Sequence, residues 1–196
     1  IDNLLSADVV LADGSLVTTT ERSHPDLFWA LRGGGGNFGI VTSFEFRLHP
    51  VRQVFGGPVF WAFEDTPAVL AWYDRFMSTA PRDIYGFFSI HTVPPAPPFT
   101  DALHHQKVCG VVWCCLGEPK AAAEALRATH EPAEPILEAL GELPYPALQR
   151  AFDGLYPPGL HWYWRGQIVR ELSESLAAVN LEFAEQLPTE LSCTHF

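Results

Sequence analysis

The residues most capable of chemistry lie in a glycine run and in scattered histidines, cysteines and aromatic residues. The run is Leu31-Arg32-Gly33-Gly34-Gly35-Gly36-Asn37-Phe38-Gly39-Ile40-Val41. Four consecutive glycines are entropically expensive to order, so a folded chain keeps them where backbone must approach something closely or adopt φ > 0. A planar ligand is one candidate, and an adjoining strand or helix is the other. The spacing Gly34-x-Gly36-x-x-Gly39 formally matches a dinucleotide fingerprint. That fingerprint needs a strand before the glycines and a helix after them. Here the order is reversed, because a helical pattern opened by Pro25 precedes them and a period-two pattern follows. No Lys-Ser/Thr pair follows either, which excludes a P-loop.

Other reactive groups are sparse. Cys109, Cys114, Cys115 and Cys193 form no C-x-x-C pair, and buried free thiols are the reading. His104-His105 flank a loop without further ligands at metal spacing, so no metal site is expected. No G-x-S-x-G elbow is present. The net charge of −11 comes without a basic cluster, which argues against nucleic-acid binding. No apolar run reaches the length of a membrane span. A cytoplasmic location is expected. The chain does not begin with Met, so the lack of a targeting signal has no weight.

The elements that would position these groups follow from patterning. Leu4 to Leu11 and Ser15 to Thr19, joined by Asp13-Gly14, read as a hairpin with a two-residue turn. A helix spans Asp26 to Arg32, and a strand runs from Ile40 to His49. Units 1–52 and 53–196 are expected, the second opening with a strand from Pro58 to Phe63. A helix beginning near Thr66-Pro67 places Val69, Trp72, Tyr73, Phe76, Met77 and Ala80 on one face, as core. Strands Tyr85 to Val93 and Lys107 to Leu116 follow, separated by a stiff Pro94 to Pro98 loop that needs no recognition role. Next come a helix to about Thr129 and a short helix Pro146 to Phe152. An aromatic strand Leu160 to Arg170, a helix Ser173 to Gln186 and a final strand from Leu191 complete the pattern. Hydrophobic residues at 47% and aromatics at 13% suffice for a core. The fold class is α+β: the end of one α+β domain, then an antiparallel sheet backed by helices.

One ordered set of residues carries a family resemblance. Asp2-Asn3-Leu4-Leu5, the hairpin, His24-Pro25-Asp26-Leu27-Phe28-Trp29-Ala30-Leu31-Arg32, the glycines and Asn37-Phe38-Gly39-Ile40-Val41-Thr42-Ser43-Phe44 resemble FAD-linked oxidases of the berberine bridge enzyme type. Gly57 to Trp61, Pro94 to Pro97, Leu143 to Tyr145 and Leu155 to Leu160 extend the likeness to bacterial members, over essentially the whole chain. The resemblance implies the C-terminal part of an FAD-binding domain and most of a substrate domain. It implies a small-molecule substrate oxidised by hydride transfer to flavin, with O₂ reoxidising the flavin.

By the same resemblance Asn3, Asn37, Gly39, Ile40 and Val41 line the cofactor. For Gly39 and its neighbours the alternative is that the glycines only let a helix pack on a sheet. Tyr163 and Arg165 are candidate pocket residues, on a strand whose alternate face carries Trp162 and Trp164. The region that binds the flavin phosphates, and the His and Cys that attach FAD covalently, precede Ile1 in the family pattern. The usual catalytic Tyr or Glu follows Phe196, so no catalytic residue is assigned. FAD is expected for the full-length protein and is not expected to be held tightly by this chain alone, so whether the chain alone is an enzyme stays open. A second reading is a truncated relative without FAD, acting as a binding or dimerisation module that forms a homodimer through exposed strand edges.

Overall fold

A computed structural model describes all 196 residues except 96–98, 152, 154 and 155. The chain forms two compact units, Ile1–Pro50 and Val51–Phe196.

In the first unit β1 (Leu4–Val10) pairs antiparallel with β2 (Leu16–Thr20) and β3 (Ile40–Phe46), in the order β2-β1-β3. The hairpin turn holds three residues rather than two. Gly14 takes φ 83°, its N–H donates to the Leu11 carbonyl at 3.0 Å, and Leu11 N–H donates to Ser15 at 2.9 Å. A type I turn followed by a left-handed glycine absorbs the extra residue, and the Asp13 carboxylate accepts from the Ser15 N–H at 2.9 Å. Helix α1 (Pro25–Leu31) buries Phe28, and the sheet buries Val9, Ala7 and Thr19.

The second unit is a six-stranded antiparallel sheet. Its strands are β4 (Gln53–Ala62), β5 (Ile84–Thr92), β6 (Lys107–Cys115), β7 (Leu137–Glu138), β8 (Gly141–Pro144) and β9 (Cys193–His195). The order is β7-β4-β6-β5-β9, with β8 also pairing with β4. β4 starts five residues before the expected Pro58, because Gln53 to Gly56 find partners in β8. The helices are α2 (Thr66–Thr79), α3 (Pro119–Leu126), α4 (Tyr145–Arg150) and α5 (Glu174–Glu185). Proline sits in the first turn of α2, α3 and α4, where its missing N–H costs nothing. Ser173 caps α5, its Oγ accepting from the Leu176 N–H at 3.3 Å. α2 ends at Ala80, held extended by the following Pro81.

Antiparallel pairing puts opposed residues on one face, so register divides the sheet in two. Val59, Val111 and Phe88 form one row, and Trp61, Cys109 and Ile90 the next. All six are buried in the core with Trp72, Leu70 and Val69 of α2. Trp72 stacks on Phe76 at 5.2 Å, and Phe76 meets Trp113 edge-on at 5.4 Å. Tyr73 donates to the Gly86 carbonyl at 2.9 Å, so its hydroxyl is buried with a partner. The stripe expected as core is core.

Residues 160–170 form no strand. Trp162 and Trp164 pack on Tyr156 and His195 instead of alternating across a ladder, and among the described residues no strand pairs with this segment. Part of the Pro94–Pro98 loop and the end of the helix expected to reach Phe152 lie outside the described residues.

Candidate functional site

Every helix-side row of the sheet has a counterpart on the opposite face. Phe60, Gly110, Ser89 and His195 stand in register across β4, β6, β5 and β9. Val108, His91 and Cys193 form the next row, and Val112 and Phe87 the one before. Apolar residues dominate the edges of this face, and a polar group marks its centre. A cavity of about 120 Å³ opens there.

His91 is 8% exposed. Its Nδ1 lies 3.3 Å from Ser89 Oγ, and its Nε2 is buried without a hydrogen-bond partner. Burial, reinforced by the nearby His195, pushes its pKa down to about 4, so the ring is neutral at physiological pH. The His195 ring stacks on Phe87 at 4.7 Å. Its Nε2 sits 3.3 Å from the Tyr156 hydroxyl and 3.1 Å from Cys193 Sγ, and its Nδ1 is buried without a partner. Burial lowers the His195 pKa and raises that of Cys193, so neither imidazolium nor thiolate is favoured. Burial likewise pushes Tyr156 up to about 12. The site is a set of neutral hydrogen-bonding groups in an apolar frame.

Among the described residues, charge enters at the rim. Glu190 lines the cavity, and both its oxygens meet His105 Nδ1, at 2.9 and 3.0 Å. His105 is an exposed turn residue at φ 64°, and its backbone N–H donates to the Val93 carbonyl at 2.9 Å.

The pocket residues expected from sequence lie elsewhere. Tyr163 is 83% exposed and Arg165 is exposed, and neither lines the cavity. Of the two alternating pairs, the tryptophans meet other rings, Trp162 half-buried and Trp164 still 61% exposed, and neither lines the cavity. Trp162 packs on Tyr156 at 5.3 Å, and Trp164 lies over His195 at 6.1 Å. Sequence reading missed His91, His195, Cys193 and Tyr156. The available signal was Phe87-Phe88-Ser89-Ile90-His91, where polar residues recur at every second position of an apolar strand.

In the first unit the glycines divide by role. A Cβ on Gly39 would stand 2.6 Å from the Val10 carbonyl and 2.8 Å from Val9 Cγ1, at φ 138°. Close packing on β1 therefore accounts for Gly39. Gly36 faces open space. Asn37 donates from Nδ2 to the Gly34 carbonyl at 3.0 Å, closing its own turn, and Asn3 Oδ1 lies 3.2 Å from His49 Nε2. Ile40 is 72% exposed and Val41 half-buried, on a strand at the edge of its sheet. Alternate backbone groups of β3 thus face no strand among the described residues. Arg32, next to the glycines in sequence, has its Nε buried without a partner. The guanidinium lies over the Phe28 ring at 5.1 Å, and the apolar surface and open backbone of β3 fit one edge of a dinucleotide such as FAD. Among the described residues no group of three or more His, Cys, Asp or Glu is arranged to hold a metal ion, and no helix is long and apolar enough to cross a membrane.

No family model matches the chain. An FAD-linked oxidoreductase of Dictyostelium discoideum is 26% identical over 194 residues, which is 98% of this chain and 40% of that protein. A xylooligosaccharide oxidase of Thermothelomyces thermophilus is 68% identical over 47 residues, 24% of this chain and 10% of the relative. Among solved structures, a glucooligosaccharide oxidase of Acremonium strictum superposes with a TM-score of 0.62 at 28% identity, covering 78% of this chain and 30% of that one. The chain thus spans well under half the length of these relatives. Its curated and structural neighbours are FAD-linked oxidoreductases of the berberine bridge enzyme type, and the chain is related to that family.

Proposed function

We propose that this chain is part of an FAD-dependent oxidoreductase of the oxidase type, its first unit contributing to the FAD domain and its second to the substrate domain. The observation that carries the reading is the open sheet face of the second unit. There a cavity bordered by neutral, buried hydrogen-bonding groups lies opposite a fully packed helix face. A sheet that served only as scaffold would gain nothing from leaving buried imidazole nitrogens unpartnered.

When bound, FAD would accept a hydride equivalent from the substrate and pass the electrons to O₂. Ile40 and Val41 would offer apolar contact and backbone groups to it, with Asn3, Asn37 and Gly39 framing that edge. Arg32 would offer a donor to an anionic part of the cofactor. His91 and His195 would orient the substrate, and Phe60 and Phe87 would keep water from it. The 196 residues alone would hold FAD weakly, because the chain spans 40% of the relative it matches end to end. The test is a visible absorption spectrum of the gene product after incubation with FAD and desalting. Retained flavin bands in the gene product, with none in the isolated 196-residue chain, are expected. A colourless gene product would count against the reading.

A further inference from the structure

We infer that the cleft between α2 and α5 binds a small amphiphilic ammonium ion, its charged head beside Asp74 and Glu174 and its apolar body along Leu70 and Leu181. This cleft lies on the helix side of the sheet. The cavity that carries the oxidoreductase reading opens on the other face, so the two readings stand or fall separately.

Helical spacing shapes the cleft. Leu70 and Asp74 of α2 stand one turn apart, as do Glu174 and Ala178 of α5, with Leu181 three residues further on. Each helix thus lines the cleft with one stripe of its surface. Ala71 and Ala178 put only methyl groups into it, and about 460 Å³ stays open between the helices. That volume falls within the range of about 300–1,000 Å³ usual for small-molecule sites. Leu70 is buried as part of the core and Leu181 is half-buried, so the walls offer apolar contact.

Register puts the two carboxylates at the same end. Tyr73 of α2 donates to the Gly86 carbonyl near the start of β5, and Pro81, just past α2, accepts from the Ile84 N–H. α5 runs the other way. Thr194, paired with Ile90 of β5, donates to Asn180, and Lys107, paired with Thr92 at the end of β5, donates to the Glu185 carbonyl. The helices are therefore antiparallel. Asp74, in the second half of α2, shares one end of the cleft with Glu174, the first residue of α5.

Charge then selects the ligand. No Lys, Arg or His lines the cleft, and among the described residues neither carboxylate has a hydrogen bond or an ion pair. Two unpaired negative charges at one end of an apolar cleft repel an anion and attract a cation. A small hydrated cation gains nothing from the leucines, and a neutral apolar molecule strips water from the carboxylates without replacing it. One ammonium on an apolar body meets both demands. Both carboxylates are exposed, so each contributes modestly and the attraction weakens with salt.

The experiment is titration of the gene product with 2-phenylethylamine, 2-phenylethanol and 3-phenylpropanoate, read by methyl NMR of Leu70, Ala71, Ala178 and Leu181. The probes share a phenylethyl body and differ in charge. The ammonium is expected to bind about 5–10-fold tighter than the alcohol in dilute buffer, the worth of two exposed ion pairs, and only about twofold tighter in about 0.5 M NaCl. The carboxylate is expected to bind more weakly than the alcohol. Combining Asp74→Asn with Glu174→Gln keeps shape and exposure, and should bring the preference for ammonium over alcohol to about one. Ala178→Leu fills the cleft from an exposed helical position that leucine suits. It should weaken ammonium and alcohol alike by about tenfold or more. Equal binding of ammonium and alcohol to the unaltered protein would overturn the inference. So would an unchanged preference in the doubly neutral variant, tighter binding of the carboxylate, shifts that spare the four cleft residues, or no binding of any probe.

Discussion

The hydroxyl of Tyr156 lies 3.3 Å from Nε2 of His195, joining a segment without regular structure to the last strand of the sheet. Cys193 shares the same nitrogen at 3.1 Å, so the three side chains close one small polar knot. Tyr156 also carries Trp162 and Trp164 against the sheet, which makes it the anchor of residues 156–164. Tyr156→Phe should lower the stability of the unit by about 1 kcal/mol, seen as a shift of the urea midpoint. It should also make Trp164 more accessible to a fluorescence quencher. An unchanged midpoint and unchanged quenching would remove Tyr156 from that role.

His91 makes stability depend on pH. Its pKa is near 4 in the folded unit against about 6.5 unfolded, so between these values the unfolded chain binds more protons. Stability therefore falls as pH drops through that window, by up to about 3 kcal/mol once pH reaches the folded value, and is unaffected by this group above the window. His195 adds to the same slope, because burial lowers its pKa too. In His91→Phe the acid slope of urea-unfolding free energy should flatten. An identical slope in the variant would contradict the burial argument.

His130 acts in the opposite sense. Its Nε2 meets Glu138 at 2.8 Å and its Nδ1 meets Glu134 at 3.5 Å, and these partners, Glu138 first, raise its pKa. Its contribution is fully present below the unfolded pKa and is lost as pH rises through the folded value. His130→Asn should therefore cost more stability in mildly acidic than in mildly alkaline solution. A cost independent of pH would show that the pair is not ionic.

Gly39 is held by φ and by contact together. Gly39→Ala brings a methyl against the Val10 carbonyl at a φ of 138° that an L-residue adopts only with strain. Loss of more than about 1 kcal/mol from the first unit is expected, measured by hydrogen exchange of the Val9 and Val10 amides. Gly36→Ala, which meets nothing, is the control.

Much of the fold was legible because period and punctuation agree along most of the chain. β5, β6, α2 and α5 announce themselves by alternation, by a proline in the first turn or by a serine cap, and tertiary packing confirms each. The strand expected over Leu160–Arg170 fails because aromatic content alone does not supply a ladder partner. The site was harder to read. Tyr163 and Arg165 were chosen from that supposed strand, whereas His91 and His195, 104 residues apart, become neighbours only when β9 pairs with β5, a register no local pattern reveals. The glycine run was read for closeness to something, and for Gly39 the nearby object in this structure is the backbone of β1.

The most direct measurement is anaerobic mixing of the FAD-loaded gene product with a panel of neutral alcohols, followed in the visible flavin bands. The account predicts bleaching on mixing, and recovery with formation of H₂O₂ when O₂ is admitted. A flavin that stays oxidised with every neutral alcohol, yet is bleached by a chemical reductant, would contradict it.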